Sequence, residues 1–210
     1  MNIASLRQEY MRAGLSESDV DRDPMRQFER WFEDAVQADL PLVNAMTLAT
    51  VGAGATPSAR IVLLKGIEGG GFVFYTNYAS RKARELEASR KACLVFMWSA
   101  LERQVRIDGA IERVSAPDSD AYYQSRPLGA RLSAWASPQS ERVASRTVLE
   151  SALEDAKSRY GDAPPRPPHW GGYRVVPTEI EFWQGRADRL HDRLRYRRQG
   201  SAWTLERLAP

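Results

Sequence analysis

Behind Asp23-Pro24, the apolar residues Met25, Phe28, Trp31, Phe32, Ala35 and Val36 recur at spacings of three and four. That period predicts an amphipathic helix capped by Asp23, with Pro24 in its first turn. From Ala45 onward the pattern changes to short β-rich runs: Met46 to Val51, Ala59 to Lys65, Phe72 to Tyr75, Ala92 to Trp98 and Gln104 to Val114. The turn clusters Gly52-Ala53-Gly54 and Gly69-Gly70-Gly71 separate some of them. Five strands at this spacing predict an antiparallel barrel or sandwich. A short helix from Ser80 to Glu87 interrupts them, and Pro117 to Arg126 and Arg142 to Tyr160 read as further helices. After the Pro-rich stretch Ala163 to Pro168 come four more β-rich pieces: Tyr173 to Val176, Ile180 to Trp183, Leu190 to Tyr196 and Trp203 to Leu208. Four short strands make a poor core of their own, so they are expected to join the first sheet. The fold class is therefore mainly β with flanking helices (α+β).

Composition narrows the chemistry. Of 210 residues, 43% are apolar and 27% charged, enough for a core that needs no disulfide or metal staple. Cys93 is the single cysteine, and His169 and His191 are the only histidines, so a disulfide framework, a multi-Cys zinc site and a three-His metal site are all excluded. The longest apolar run, Ala92 to Trp98, is seven residues, far below the roughly 20 that cross a bilayer. No secretory signal is visible at the N-terminus, so the cytoplasm is the expected location and no membrane partner is expected. Net charge is only +3, and most of the many arginines are expected on solvated faces.

Particular cations stand apart. Arg81 and Lys82 occupy the first turn of the Ser80 helix, where they oppose the helix dipole unless an anion is bound there. Arg60-Ile61-Val62-Leu63-Leu64-Lys65 reads as a strand with a cation at each end, on opposite faces. In Arg189-Leu190-His191-Asp192-Arg193, strand alternation would project Arg189, His191 and Arg193 to one face and turn Leu190 to the core. Tyr122 and Arg126 stand four apart, as on one helical face. Trp183-Gln184-Gly185 offers an aromatic plate and an amide. Gly52-Ala53-Gly54 lacks the third glycine and following helix of a dinucleotide loop.

Several of these blocks, in this order, resemble the pyridoxamine 5'-phosphate oxidase family, FMN-dependent enzymes of vitamin B6 metabolism. The most specific are Arg60 to Lys65, Phe74-Tyr75-Thr76-Asn77, Ser80-Arg81-Lys82, Leu101 to Val105, Ser125-Arg126-Pro127, His169-Trp170-Gly171-Gly172, Glu181 to Gly185 and Arg189 to Arg193. The resemblance implies an FMN-binding split β-barrel, homodimeric, with each FMN site built from both chains. It also implies a mobile segment over 1–22 and a single domain over 23–210, whose part 170–210 completes the sheet and the active site. Carried over by position, Arg60, Ile61, Val62, Leu63, Leu64, Lys65, Tyr75, Thr76, Arg81, Lys82, Gln104, Gln139, Ser140, Trp183 and Arg193 would contact FMN. Lys65, Tyr122 and Arg126 would hold the substrate phosphate, Arg189, Leu190 and His191 would face the substrate ring, and Arg7, Gln8, Glu9 and Tyr10 would close over it. Arg189 and His191 are the expected catalytic pair, and no metal is expected. The implied reaction moves a hydride from C4' of pyridoxine or pyridoxamine 5'-phosphate to FMN, with dioxygen as the final acceptor. In this family a Ser usually stands four residues after the Arg of Ser-Arg-Pro. Here it is Ala130, which predicts weaker substrate binding unless Ser133 compensates. A flavin or deazaflavin reductase on the same scaffold is the alternative reading, opposed by the Ser125-Arg126-Pro127 and Arg189 to His191 blocks. A nucleic-acid binder is opposed by the balanced charge.

Overall fold

Asp23 and Pro24 start helix α1 (Pro24–Gln37) as the spacing predicts: the Asp23 carboxylate accepts from the Met25 amide. The helix turns Phe28, Trp31 and Ala35 into the core, and Phe28 meets Phe72 edge-on at 4.8 Å between ring centroids. These and all other coordinates come from a computed structural model that describes residues 14–210. The elements that follow are β1 (Ala45–Val51), β2 (Pro57–Leu63), β3 (Gly66–Glu68), β4 (Gly71–Asn77), α2 (Arg81–Ser89), β5 (Lys91–Trp98) and β6 (Arg103–Arg113). Then come α3 (Ala116–Ser125), α4 (Leu128–Ala136), α5 (Arg146–Tyr160), β7 (Trp170–Gln184), β8 (Asp192–Gln199) and β9 (Ala202–Arg207). No described helix is long and apolar enough to cross a membrane.

The nine strands among the described residues form one antiparallel sheet in the order β2-β1-β5-β6-β7-β4-β3, with β8 on β7 and β9 on β8. Strict alternation along β5 sends Ala92, Leu94, Phe96 and Trp98 inward. β4 is buried almost throughout, because it lies between β3 and β7.

Strand β7 is the spine. It pairs along its length with β6, through its first half with β4, and through its second half with β8. The two pieces expected at 173–176 and 180–183 are thus one strand. Pro177 breaks the sequence pattern, and β7 absorbs it as a bulge of its own: Gly109 of β6 pairs with Pro177 and Asp108 with Glu179, which leaves Thr178 as the extra residue. A Cβ on Gly109 would stand 2.4 Å from the Val176 carbonyl oxygen. Gly109→Ala is therefore expected to cost about 1–3 kcal/mol, and an unchanged midpoint in thermal unfolding would contradict this packing.

Three further expectations need correction. Helix α4 follows α3 directly although the pattern gave no helix there, and β3 adds a short strand. Strand β2 ends at Leu63, so Lys65 belongs to the link into β3 and not to a strand face. Arg189 and His191 are not on a strand: β8 begins at Asp192, and Asp188 and Arg189 both adopt left-handed backbone, φ 55° and 59°. Leu190, expected in the core, is 70% exposed. Two consecutive non-glycine residues in this region carry strain of about 1–3 kcal/mol each.

Residues 14–22 are fastened to the chain's far end. The Leu15 amide donates to Asp192 Oδ2, and Arg207 clasps Glu17, the Leu15 carbonyl and Asp192 Oδ1. Arg186 reaches Asp192 Oδ2 as well, so this strap meets the loop that carries Arg189 and His191.

Candidate functional site

A cavity of about 680 Å³ opens between the 61–65 segment, the end of β4, the start of α2 and the α3–α4 corner. Its wall includes Ile61, Val62, Leu63, Lys65, Tyr75, Thr76, Lys82, Tyr122, Arg126 and Gln139, all expected from the sequence. One side is aromatic: Tyr75 stacks on Tyr122 at 3.9 Å and on Trp170 at 5.5 Å. Gly172 permits this, since a Cβ there would lie 2.9 Å from the Tyr75 ring. Burial, with Glu68 adding to it, pushes the Tyr75 phenol up to about 12, so it is a neutral wall.

Cations enter this wall at two places. At the first, Lys82 Nζ donates to Gln139 Oε1 (2.7 Å), Thr76 Oγ1 (3.2 Å) and Ser80 Oγ (3.3 Å), all neutral acceptors. Burial lowers the pKa of its ammonium and the Arg60 charge adds to the effect, so an anion here would be stabilising. Arg60 and Arg81 stand beside it and share one carboxylate, Glu85. Ser80 occupies the helix cap position but makes no capping bond; its hydroxyl donates to the Asn77 carbonyl. Ser140 is exposed with a left-handed φ of 75°.

At the second place are Lys65, Tyr122 and Arg126. Arg126 follows the end of α3, so it does not share a helical face with Tyr122; the turn into Pro127 brings it to the cavity instead. Its guanidinium lies 4.7 Å over the Trp170 ring. Nη1 is buried and has no hydrogen-bond partner among the described residues. Burial lowers its pKa. A buried donor with nothing to bond is costly, and an oxyanion in the cavity would satisfy it. Ser133 lines the same cavity whereas Ala130 does not, and the Ser133 hydroxyl is turned back to the Ala130 carbonyl.

The remaining expected residues form a second group. Gln104, Trp183 and Arg193 are direct cross-strand partners on β6, β7 and β8, so they stand side by side on one face. Arg193 is braced by Glu181 (2.7 Å) and by the Ala209 carbonyl (2.9 Å). The His191 ring lies 4.7 Å from Trp183, and its Nδ1 accepts from the Arg186 amide (3.1 Å). No residue of this group, nor Arg189, lines the cavity within one chain. Leu64 is buried in the core cluster and is not on the cavity wall. Arg7, Gln8, Glu9 and Tyr10 lie outside the described residues. The sequence reading missed Trp170 as a wall, although its His-Trp-Gly-Gly block was the available signal, and it missed Glu85.

Comparison with known proteins shows the family. Residues 32–160 match the family model described as pyridoxamine 5'-phosphate oxidase, and 170–210 match the pyridoxine 5'-phosphate oxidase C-terminal dimerisation region. The chain belongs to the pyridoxamine 5'-phosphate oxidase family. With the family comes its class, an FMN-dependent oxidoreductase with a dimerisation region in place. Pyridoxine/pyridoxamine 5'-phosphate oxidase 1 of Ralstonia nicotianae is 59% identical over 210 residues, covering 100% of this chain and 99% of its own. The pyridoxine/pyridoxamine 5'-phosphate oxidase of Thermosynechococcus vestitus is 61% identical over 208 residues, 99% of either chain. Among solved structures, PhzG of Burkholderia lata, in complex with tetrahydrophenazine-1-carboxylic acid, aligns with a TM-score of 0.88 at 32% identity, over 93% of this chain and 98% of that one. An FMN-binding protein of Nostoc punctiforme shares the fold, with a TM-score of 0.71 at 20% identity over 91% of this chain and all of its own.

The residues present fit FMN. A cavity of this size suits a flat ring system, and the cationic group around Lys82 suits a phosphate.

Proposed function

We propose that this chain oxidises pyridoxine 5'-phosphate and pyridoxamine 5'-phosphate to pyridoxal 5'-phosphate. Dioxygen would be the electron acceptor, giving hydrogen peroxide and, from the amine after hydrolysis of the imine, ammonia. The observation that carries this reading is one cavity entered by cations at two separate places, Lys82 in one wall and Lys65 with Arg126 in another. Two phosphorylated ring systems laid face to face need two such anchors.

When bound, FMN supplies the two-electron acceptor. Arg60, Arg81, Lys82 and Ser140 hold its phosphate, while the 61–65 segment, Tyr75, Thr76 and Gln139 wall the cofactor. Gln104, Trp183 and Arg193 reach it from a second copy of the chain, and the matched dimerisation region supports such a copy. Lys65, Tyr122 and Arg126 hold the substrate phosphate. Arg189 orients the substrate ring and steadies charge that develops on it. Because His191 Nδ1 accepts from the Arg186 amide, the neutral ring carries its proton on Nε2, and that atom would exchange a proton with the C4' substituent.

The purified protein is expected to be yellow and to bleach anaerobically on addition of pyridoxamine 5'-phosphate, recovering its colour in air. Bleaching by a reduced nicotinamide, with none from either B6 phosphate, would overturn the reading in favour of a flavin reductase.

A further inference from the structure

Glu85 is a carboxylate where charge arithmetic would not put one. It lies one helical turn after Arg81 on α2, next to the cluster assigned above to the FMN phosphate, and its side chain is only 7% exposed. A buried acid at an anion site repels the ligand unless it does something else. Its contacts show what that is. Oε1 accepts from Arg81 Nε at 2.8 Å. Oε2 accepts from Ser58 Oγ at 2.6 Å, from Thr50 Oγ1, and from Arg60 Nη2 at 3.3 Å. Arg60 also bonds Thr50 Oγ1 and Ser58 Oγ, each at 2.6 Å. A β-sheet edge and a helix start are thus joined through one carboxyl group, with two guanidiniums fixed on either side of it.

We propose that Glu85 is a positioning residue for the phosphate anchor, holding Arg60 and Arg81 as one rigid fork beside Lys82 and thereby setting the preference for FMN over riboflavin. The inference rests on the assignment of that cluster to the FMN phosphate. Two physical points support it. Arginine side chains are rotamer-rich, and fixing them before the ligand arrives removes that ordering cost from binding. Three cations against one carboxylate also leave a surplus of two, which matches the charge of about −1.5 to −2 on a phosphomonoester near neutral pH. The carboxyl stays ionised: burial alone would raise its pKa, but the hydrogen bonds from Ser58, Thr50 and Arg81 outweigh this and hold it at about 2.

The test is Glu85→Gln, which keeps the shape and removes the charge. Flavin-free full-length protein is titrated with FMN and with riboflavin, following quenching of flavin fluorescence. FMN affinity is expected to fall roughly tenfold while riboflavin affinity stays within about twofold. Coulomb's law alone predicts the opposite sign, because the variant gains net positive charge. Tighter FMN binding would therefore overturn the inference, as would equal loss for both flavins, which is what a merely structural role gives, or no change in either. If the wild-type protein itself binds FMN no better than riboflavin, the phosphate-anchor assignment fails first, and the two failures are told apart. Should Glu85→Gln not fold, Ser58→Ala keeps the charge and removes one donor; a loss of about threefold for FMN alone is expected, and equal loss for both flavins or none for either again overturns the inference.

Discussion

Mixing inactive Arg126→Ala protein with inactive Arg189→Ala protein is expected to restore about a quarter of wild-type activity. The reasoning starts from where the two halves of the site stand. Arg126 lines the cavity with Lys65 and Tyr122, whereas Arg189 sits in the left-handed turn before β8 and touches no part of that wall. Ile61 on the cavity rim is 65% exposed and Leu63 is 37% exposed, apolar surface that a second copy would cover. In the proposed two-fold dimer each site would take its cavity from one chain and its loop from the other. Random re-pairing makes about half of the dimers mixed, and each mixed dimer has one site with both defects and one with neither, hence about a quarter. The measurement is turnover after dissociation and re-association of an equimolar mixture. Activity no higher than the sum of the parents would place both halves of each site on one chain and sink the shared-site reading.

Arg126→Ala by itself is expected to lower kcat/KM for the phosphorylated substrate by about 10²- to 10³-fold, equivalent to about 2.7–4 kcal/mol. This large effect follows from burial. The Nη1 group has no partner among the described residues, so its desolvation is already spent in the free protein and the full charged hydrogen bond appears only with ligand. Dephosphorylated pyridoxine should lose little, and an equal loss for both would overturn the assignment. Stability should change little: the substitution removes a half-buried cation whose Nη1 lacks a hydrogen-bond partner among the described residues but also its contact with the Trp170 ring, so the melting temperature is expected to stay within a few degrees. Lys65 is exposed, so its truncation is expected to cost less.

Much of the frame was legible because residue preference and helical spacing are local properties. β5 was marked by its apolar run, β6 by a β-rich run bounded by polar residues, and α1 by its spacing and its Asp-Pro start. The loop before β8 was not legible, because Arg-Leu-His-Asp-Arg alternates like a strand while its backbone turns left-handed at Asp188 and Arg189. Pro177 made one strand read as two, since a missing amide looks like an end until a bulge at the neighbouring Thr178 accommodates it. α4 was hidden by Gly129, a poor helix former beside Pro127. The cavity draws on residues from 61 to 170, so only the resemblance could assemble it beforehand. Glu85 was not singled out, because nothing in its own segment announces Thr50 and Ser58.

Strand β7 bears a wall of the cavity at Trp170 and a member of the other half-site at Trp183. Thirteen residues of extended chain separate them, a reach of roughly 40 Å. In the proposed pair of copies, each β7 therefore lends one tip to either reaction centre, like a crossbeam resting on two supports. A slip of that beam by one residue would misalign both centres together, so the enzyme's two turnovers per dimer share a single mechanical reference.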